Sequence, residues 1–153
     1  MDETLTVLEH VLEACRDALS EAPGRSVIVA GSGVAWDDCC DGQLSVRVIS
    51  TTPLYKGNPL NGCPVGFEHL LSVSLIRCVA TMNDRGQAPT EAEMTADGRA
   101  MIRDMNELAN ILQCMTIPKT LGSWLGPYRT VGPQGGCAGG EWDFTVRVPV
   151  PMS

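Results

Sequence analysis

No stretch of this chain approaches the roughly 18 consecutive apolar residues that a membrane-spanning helix requires, and the opening Met1-Asp2-Glu3 is acidic, so neither an anchor nor a signal peptide is expected. Basic residues are scarce: 11 Lys and Arg stand against 18 Asp and Glu, for a formal net charge of −7 and a sequence pI of about 4.7. They form no patch, which excludes a surface built to displace counterions from nucleic acid. Histidine occurs only twice, as His10 and His69. No two cysteines have the C-x-x-C spacing of a zinc knuckle or a thioredoxin-like site. A phosphate-cradling loop is missing as well. Gly31-Ser32-Gly33 follows an apolar run, but Trp36 stands where a third glycine would fall and no helical pattern follows, so a turn is the plain reading. Asp37, Asp38 and Asp41 lack the D-x-D-x-D-G alternation of a calcium loop and read as a solvated connection.

What is present describes one globular domain spanning residues 1–153. With 44% hydrophobic and 19% charged residues, a chain of this length buries roughly two-thirds of its unfolded surface. Its seven cysteines are numerous. Cys15, Cys78 and Cys114 fall inside periodic apolar segments, where a thiol acts as a small hydrophobe. Cys39, Cys40, Cys63 and Cys137 lie in loops rich in glycine, proline or aspartate, where one or two disulfides, a metal cluster or free thiols are all open. The odd total leaves at least one thiol unpaired within the chain.

Apolar spacing of three and four predicts a helix over residues 5–19, closed by Pro23-Gly24. Strands are expected at Val27–Ala30, Leu44–Thr51 and Glu68–Met82, the last apolar on both faces. Such a strand is central or meets a partner on its outer face. Residues 53–64 read as a long polar loop. Thr90 and Glu93 form a capping box that opens a helix reaching about Met115. Its apolar stripe is Met94, Met101, Ile102, Met105, Leu108, Ala109 and Leu112, with Arg99, Arg103, Asp104 and Glu107 outside. The methionines, at helical spacing, read as core more readily than as an adaptable groove. Between Trp124 and Val131 strand and loop both remain open, because Gly126-Pro127 interrupts the pattern.

The clearest signal lies near the C-terminus. Gly135-Gly136-Cys137-Ala138-Gly139-Gly140 supplies a tight turn. It leads into Glu141–Val148, where Trp142, Phe144, Val146 and Val148 alternate with Glu141, Asp143, Thr145 and Arg147: a strand with one dry and one wet face. The element order gives an α+β fold, a mostly antiparallel sheet with two helices packed on one face.

No set of residues reads as catalytic, cofactor-binding or metal-ligating. A cysteine nucleophile needs a neighbouring base, and nothing in the sequence brings His10 or His69 to Cys137 or Cys40; thiol-dependent catalysis and a metal-stabilised binding module stand as alternatives of other classes. Truncating Trp142, if it is buried, is expected to cost about 3–5 kcal/mol.

Several segments together carry a family likeness: Asp41-Gly42-Gln43-Leu44-Ser45-Val46-Arg47, Leu75-Ile76-Arg77-Cys78, the capped helix with Met101–Leu112, and Gly132-Pro133-Gln134-Gly135-Gly136-Cys137-Ala138-Gly139-Gly140-Glu141-Trp142. Over about residues 1–148 the chain resembles a neck protein of the long-tailed bacteriophages that infect actinobacteria. Its element order is similar to the tail terminator, or tail-completion, proteins. The resemblance implies a virion component, assembled in the host cytoplasm, that forms a six-membered homomeric ring. That ring would cap the tail tube protein, stop its polymerisation, and meet the head-to-tail connector. DNA would only pass through the channel, and no membrane, cofactor or catalysis is implied. The adjacent Cys39-Cys40 and the loop at residues 53–64 depart from the pattern. A stopper or adaptor of the same neck is the nearest alternative; a stopper would be mainly β barrel and an adaptor mainly helical. For the ring contact, Leu71, Val73, Leu75, Trp142 and Phe144 are the candidates, with core packing the alternative for each.

Overall fold

The computed structural model describes residues 3–31 and 39–150. The elements are α1 (Glu3–Ala18), β1 (Arg25–Ile28), β2 (Gln43–Leu54), β3 (Gly66–Cys78), α2 (Glu91–Cys114), β4 (Gly122–Gln134) and β5 (Cys137–Pro149). The strands form one five-stranded sheet in the order β1-β2-β3-β5-β4. Only the short β1–β2 pairing is parallel; the other three are antiparallel. The fold is α+β, with a mostly antiparallel sheet and two helices.

Both helices lie on the same face of that sheet. Val7, Leu8, Val11 and Cys15 of α1 and Leu108 and Leu112 of α2 share one buried cluster with Leu44, Val46, Leu71, Val73, Leu75, Phe144, Val146 and Val148. The strand residues in it are every second one, as the pleat requires. Register confirms that they stand side by side: Leu44 is opposite Leu75, Val46 opposite Val73, and Leu71 opposite Phe144.

Local chemistry accounts for the element ends. The capping box is formed, with Thr90 Oγ1 accepting from the Glu93 amide at 3.1 Å and Glu93 Oε1 accepting from the Thr90 hydroxyl at 3.0 Å and its amide at 3.5 Å. Gly135 and Gly136 both have positive φ, 58° and 76°. That is the requirement of the two-residue turn that joins β4 to β5 with compatible twist.

Several boundaries differ from the sequence expectation. β3 stops at Cys78 rather than Met82, because the Ala80 amide leaves the ladder and donates to Asp97 Oδ2 of α2 at 2.8 Å. β2 continues past Thr51 through Pro53 to Leu54. Beyond Val46 its outer edge has no β1 partner, so a proline there removes no ladder bond. Residues 122–134 are a strand, and as the edge of the sheet β4 tolerates Pro127 and Pro133. In α2, Asp104 is buried and Met94 and Ile102 are exposed, the reverse of the helical stripe expected for them. Met101 and Met105 are half-buried, and Cys114 is exposed rather than packed.

Candidate functional site

The residues expected to meet a neighbouring subunit are the ones that seal the helices to the sheet. Leu71, Val73, Leu75 and Phe144 are at most 2% exposed. Trp142 is half-buried against the same cluster, donates its indole N–H to the Met105 carbonyl at 3.0 Å, and packs on Tyr128 with ring centroids 5.1 Å apart. Leu71, Val73, Leu75 and Phe144 present no surface to a partner, and only Trp142 keeps part of its ring exposed. The reason is that the sheet's covered face is the one these residues line, so the period-two pattern marked the intrachain core.

The other face of the sheet carries a polar network. Glu141 accepts from the Ser72 hydroxyl at 2.7 Å, sits 3.5 Å from Arg47 Nη2 and receives Arg129 Nη2 at 3.1 Å. Arg129 also grips Asp143 through two parallel bonds, at 2.9 and 2.6 Å, the bidentate geometry a guanidinium favours. The hydroxyls of Ser45 and Ser74 bond to each other across β2 and β3. Further along, Arg147 donates to Glu68 at 3.2 Å and lies over the Trp124 ring, 5.1 Å from its centroid. Burial pushes the Glu141 carboxyl up, but Ser72, Arg129 and Arg47 outweigh it and hold the group below its ordinary value of 4.5. Among the described residues Arg47 Nε is buried there with no hydrogen-bond partner.

At one end of this face sits a double clip. Cys78 of β3 and Cys137 of β5 are directly opposite each other. Cys40 is disulfide-bonded to Cys78 and Cys39 to Cys137. Two consecutive residues of the β1–β2 connection are thereby fixed to two adjacent strands, over a small apolar nest of Cys39, Ile76, Cys137 and Val131. Cys78, expected as a packing thiol, is a bridge partner, while Cys63 is free and exposed. Cys40 and Cys137 are both bridged, so neither presents a free thiol in this state. His69 is nine residues from Cys78 along β3, about 30 Å away at strand rise, and its ring is held by Thr4 at 3.0 Å and Thr51 at 2.9 Å. Cys15 is buried, which pushes its thiol up to about 12. Ser32, Gly33, Trp36, Asp37 and Asp38 lie outside the described residues; Asp41 is exposed.

A cavity of about 260 Å³ opens at the same end on the helix side, between α2 and the ends of β3 and β5. Leu75, Met101 and Leu108 give it apolar walls, and Glu21, Asp97, Asp104, Arg77 and Tyr128 polar ones. Gly140 makes room for the phenol, since a Cβ there would run into the Tyr128 hydroxyl. Asp104 is held by Arg77 Nε at 2.8 Å and Arg103 Nη2 at 3.1 Å, and Arg77 also donates to the Glu21 carbonyl at 2.8 Å. Burial, aided by Asp104, pushes the Tyr128 hydroxyl up to about 12.

The opposite end of the sheet is the β2–β3 hairpin. Residues 49–53 of β2 are exposed, and the connection beyond them displays Tyr55, Leu60 and Val65, with Leu60 88% exposed. Asn58 caps the 3-10 turn at Pro59–Asn61, accepting from the Leu60 amide at 3.0 Å.

No family model matches the chain, and no curated protein matches it. Among the described residues no helix is long and apolar enough to cross a membrane. Sequence reasoning missed the Arg77–Asp104 pair and the Arg129–Glu141–Asp143 network. The second had a visible signal, since Glu141 and Asp143 alternate on the wet side of β5, but the arginine opposite lies on β4, whose strand character was undecided.

Proposed function

We propose that this chain is an assembly subunit of the neck of a long-tailed bacteriophage, of the tail terminator type, acting as a homomeric ring that caps the tail tube and faces the head-to-tail connector. The observation that carries the reading is the β2–β3 hairpin: it holds out an 88% exposed Leu60 between exposed Tyr55 and Val65. Among the described residues Leu60 is the most exposed large apolar side chain, and exposed apolar residues lying close together mark an interaction site. The element order, two helices on one side of an open sheet, is the second support, along with the sequence likeness over residues 1–148. An open five-stranded sheet favours the terminator over a barrel-like stopper or a mainly helical adaptor. The bridged state of Cys40 and Cys137 weighs against the thiol-enzyme alternative.

A ring built from one kind of chain uses a heterologous contact, one patch on a different patch, closed by rotation. The acidic balance suits a channel through which a polyanion slides without sticking. Size-exclusion chromatography with light scattering tests this. The reading expects a discrete multiple of the 16.3 kDa subunit, near six, and the same polypeptide in purified particles. A protein that stays monomeric at every concentration and is absent from particles ends it.

A further inference from the structure

The hairpin tip and the cavity are complementary, and they lie at opposite ends of β3. The strand runs from Gly66, next to the tip, to Cys78, which lines the cavity. At strand rise that separation is roughly 40 Å, so a chain's own tip does not reach its own cavity. The tip connection, residues 55–65, holds one basic residue, Lys56, and no acidic one, with Leu60 as its most exposed apolar group. The cavity has an apolar interior and three carboxylates, Glu21, Asp97 and Asp104, set against Arg77 in its lining and Arg103, which bonds both Asp104 and Glu21, so its rim keeps an excess of one negative charge. Its volume of about 260 Å³ exceeds the roughly 150 Å³ that accepts a benzene molecule, enough for a branched aliphatic side chain. Gly98 stands at the cavity within α2, and a Cβ added there meets no atom within 4 Å. A glycine inside a helix is disfavoured for the helix itself, and here its missing side chain leaves the opening clear.

We propose that the cavity is the docking site for the β2–β3 tip of a second copy of this chain, with Leu60 as the inserted anchor and Lys56 facing the acidic rim. The inference rests on the ring reading and assigns its contact. The two patches differ, so each copy gives a tip to one neighbour and takes a tip from the other. That is the head-to-tail arrangement from which rings close.

Three variants test it by light scattering and dissociation on dilution. Leu60→Glu puts a carboxylate where the anchor enters, and Gly98→Met fills the opening from the helix. Each is expected to raise the concentration for half-assembly at least tenfold, while far-ultraviolet dichroism stays as in the wild type and melting does not fall, Gly98→Met gaining slightly from the lost helix glycine. In the third, Gly98→Cys, mild oxidation is expected to join the introduced thiol to the native Cys63 of a neighbouring copy, yielding a ladder of crosslinked chains that a Cys63→Ser background abolishes. If the wild type assembles but Leu60→Glu and Gly98→Met assemble equally well and no Cys63 crosslink forms, the docking assignment is wrong and the ring reading survives. If the wild type itself never assembles, the ring reading fails and this inference with it.

Discussion

The two faces of β3 and β5 are made by the same residues in alternation, yet they are held by different forces. On the helix side Leu71, Val73, Phe144 and Val146 are buried by α1 and α2, and the stabilisation is apolar area removed from water. On the other side Ser45, Ser72, Ser74 and Asp143 are nearly as deeply buried, but among the described residues neither helix covers them. They are enclosed by one another and by Arg47, Arg129 and Glu141, and their stability comes from the hydrogen bonds and ion pairs of that network, in which Arg47 Nε is left without a hydrogen-bond partner among the described residues. The comparison teaches that low exposure alone does not identify a core. An apolar face tolerates small changes of partner, whereas a polar network depends on every member, because an orphaned charge keeps its desolvation cost.

The largest expected effect comes from the clip that closes the polar face. The two bridges span sequence separations of 98 and 38 residues, and chain-entropy arguments give about 4–5 kcal/mol for a loop of the longer kind. Reduction should therefore lower the unfolding midpoint in urea markedly, and a Cys39→Ser, Cys137→Ser double variant should lose more than a Cys40→Ser, Cys78→Ser one. Equal midpoints with and without reductant would erase the distinction between a clipped and an unclipped end.

Next comes Phe144→Ala on the apolar face, which should cost about 3–5 kcal/mol by urea unfolding, from lost burial and the cavity left behind. On the polar face Glu141→Gln should cost about 1.5–3 kcal/mol, the range for hydrogen bonds to a charged group. Its signature is in the pH dependence. The folded Glu141 carboxyl titrates below 4.5, so its contribution is complete above that value and disappears as pH falls through the lower folded one. Melting curves from pH 7 to 3 should show the wild type losing an advantage over Glu141→Gln in the acid range. A constant gap would mean that the carboxylate adds no charge-dependent stability.

The legible parts of the fold were the ones written in local chemistry. The capping box at Thr90 and Glu93 and the alternation from Trp142 to Val148 each lie within a few residues, and both stand as read. β4 was not legible for a geometrical reason. Leu125 pairs with Phe144 and Tyr128 with Trp142, so three steps on one strand match two on the other. Both side chains face the helices, and a period of two cannot produce that spacing. Asp104 was assigned to the solvent side of α2 because the guanidinium that holds it, Arg77, arrives from β3, which no helical periodicity can report. The partners of Cys39 and Cys40 required the register of β3 on β5. The hairpin was named only as a polar loop, since exposure at its tip is a property of how far the sheet extends.

The ring reading requires that the chain associate with itself through two different patches. Electron micrographs of the purified, oxidised protein at tens of micromolar test this most directly. They are expected to show closed rings of uniform diameter with an open centre, lost in Leu60→Glu. Isolated particles the size of a 16.3 kDa globule in the wild type would contradict it.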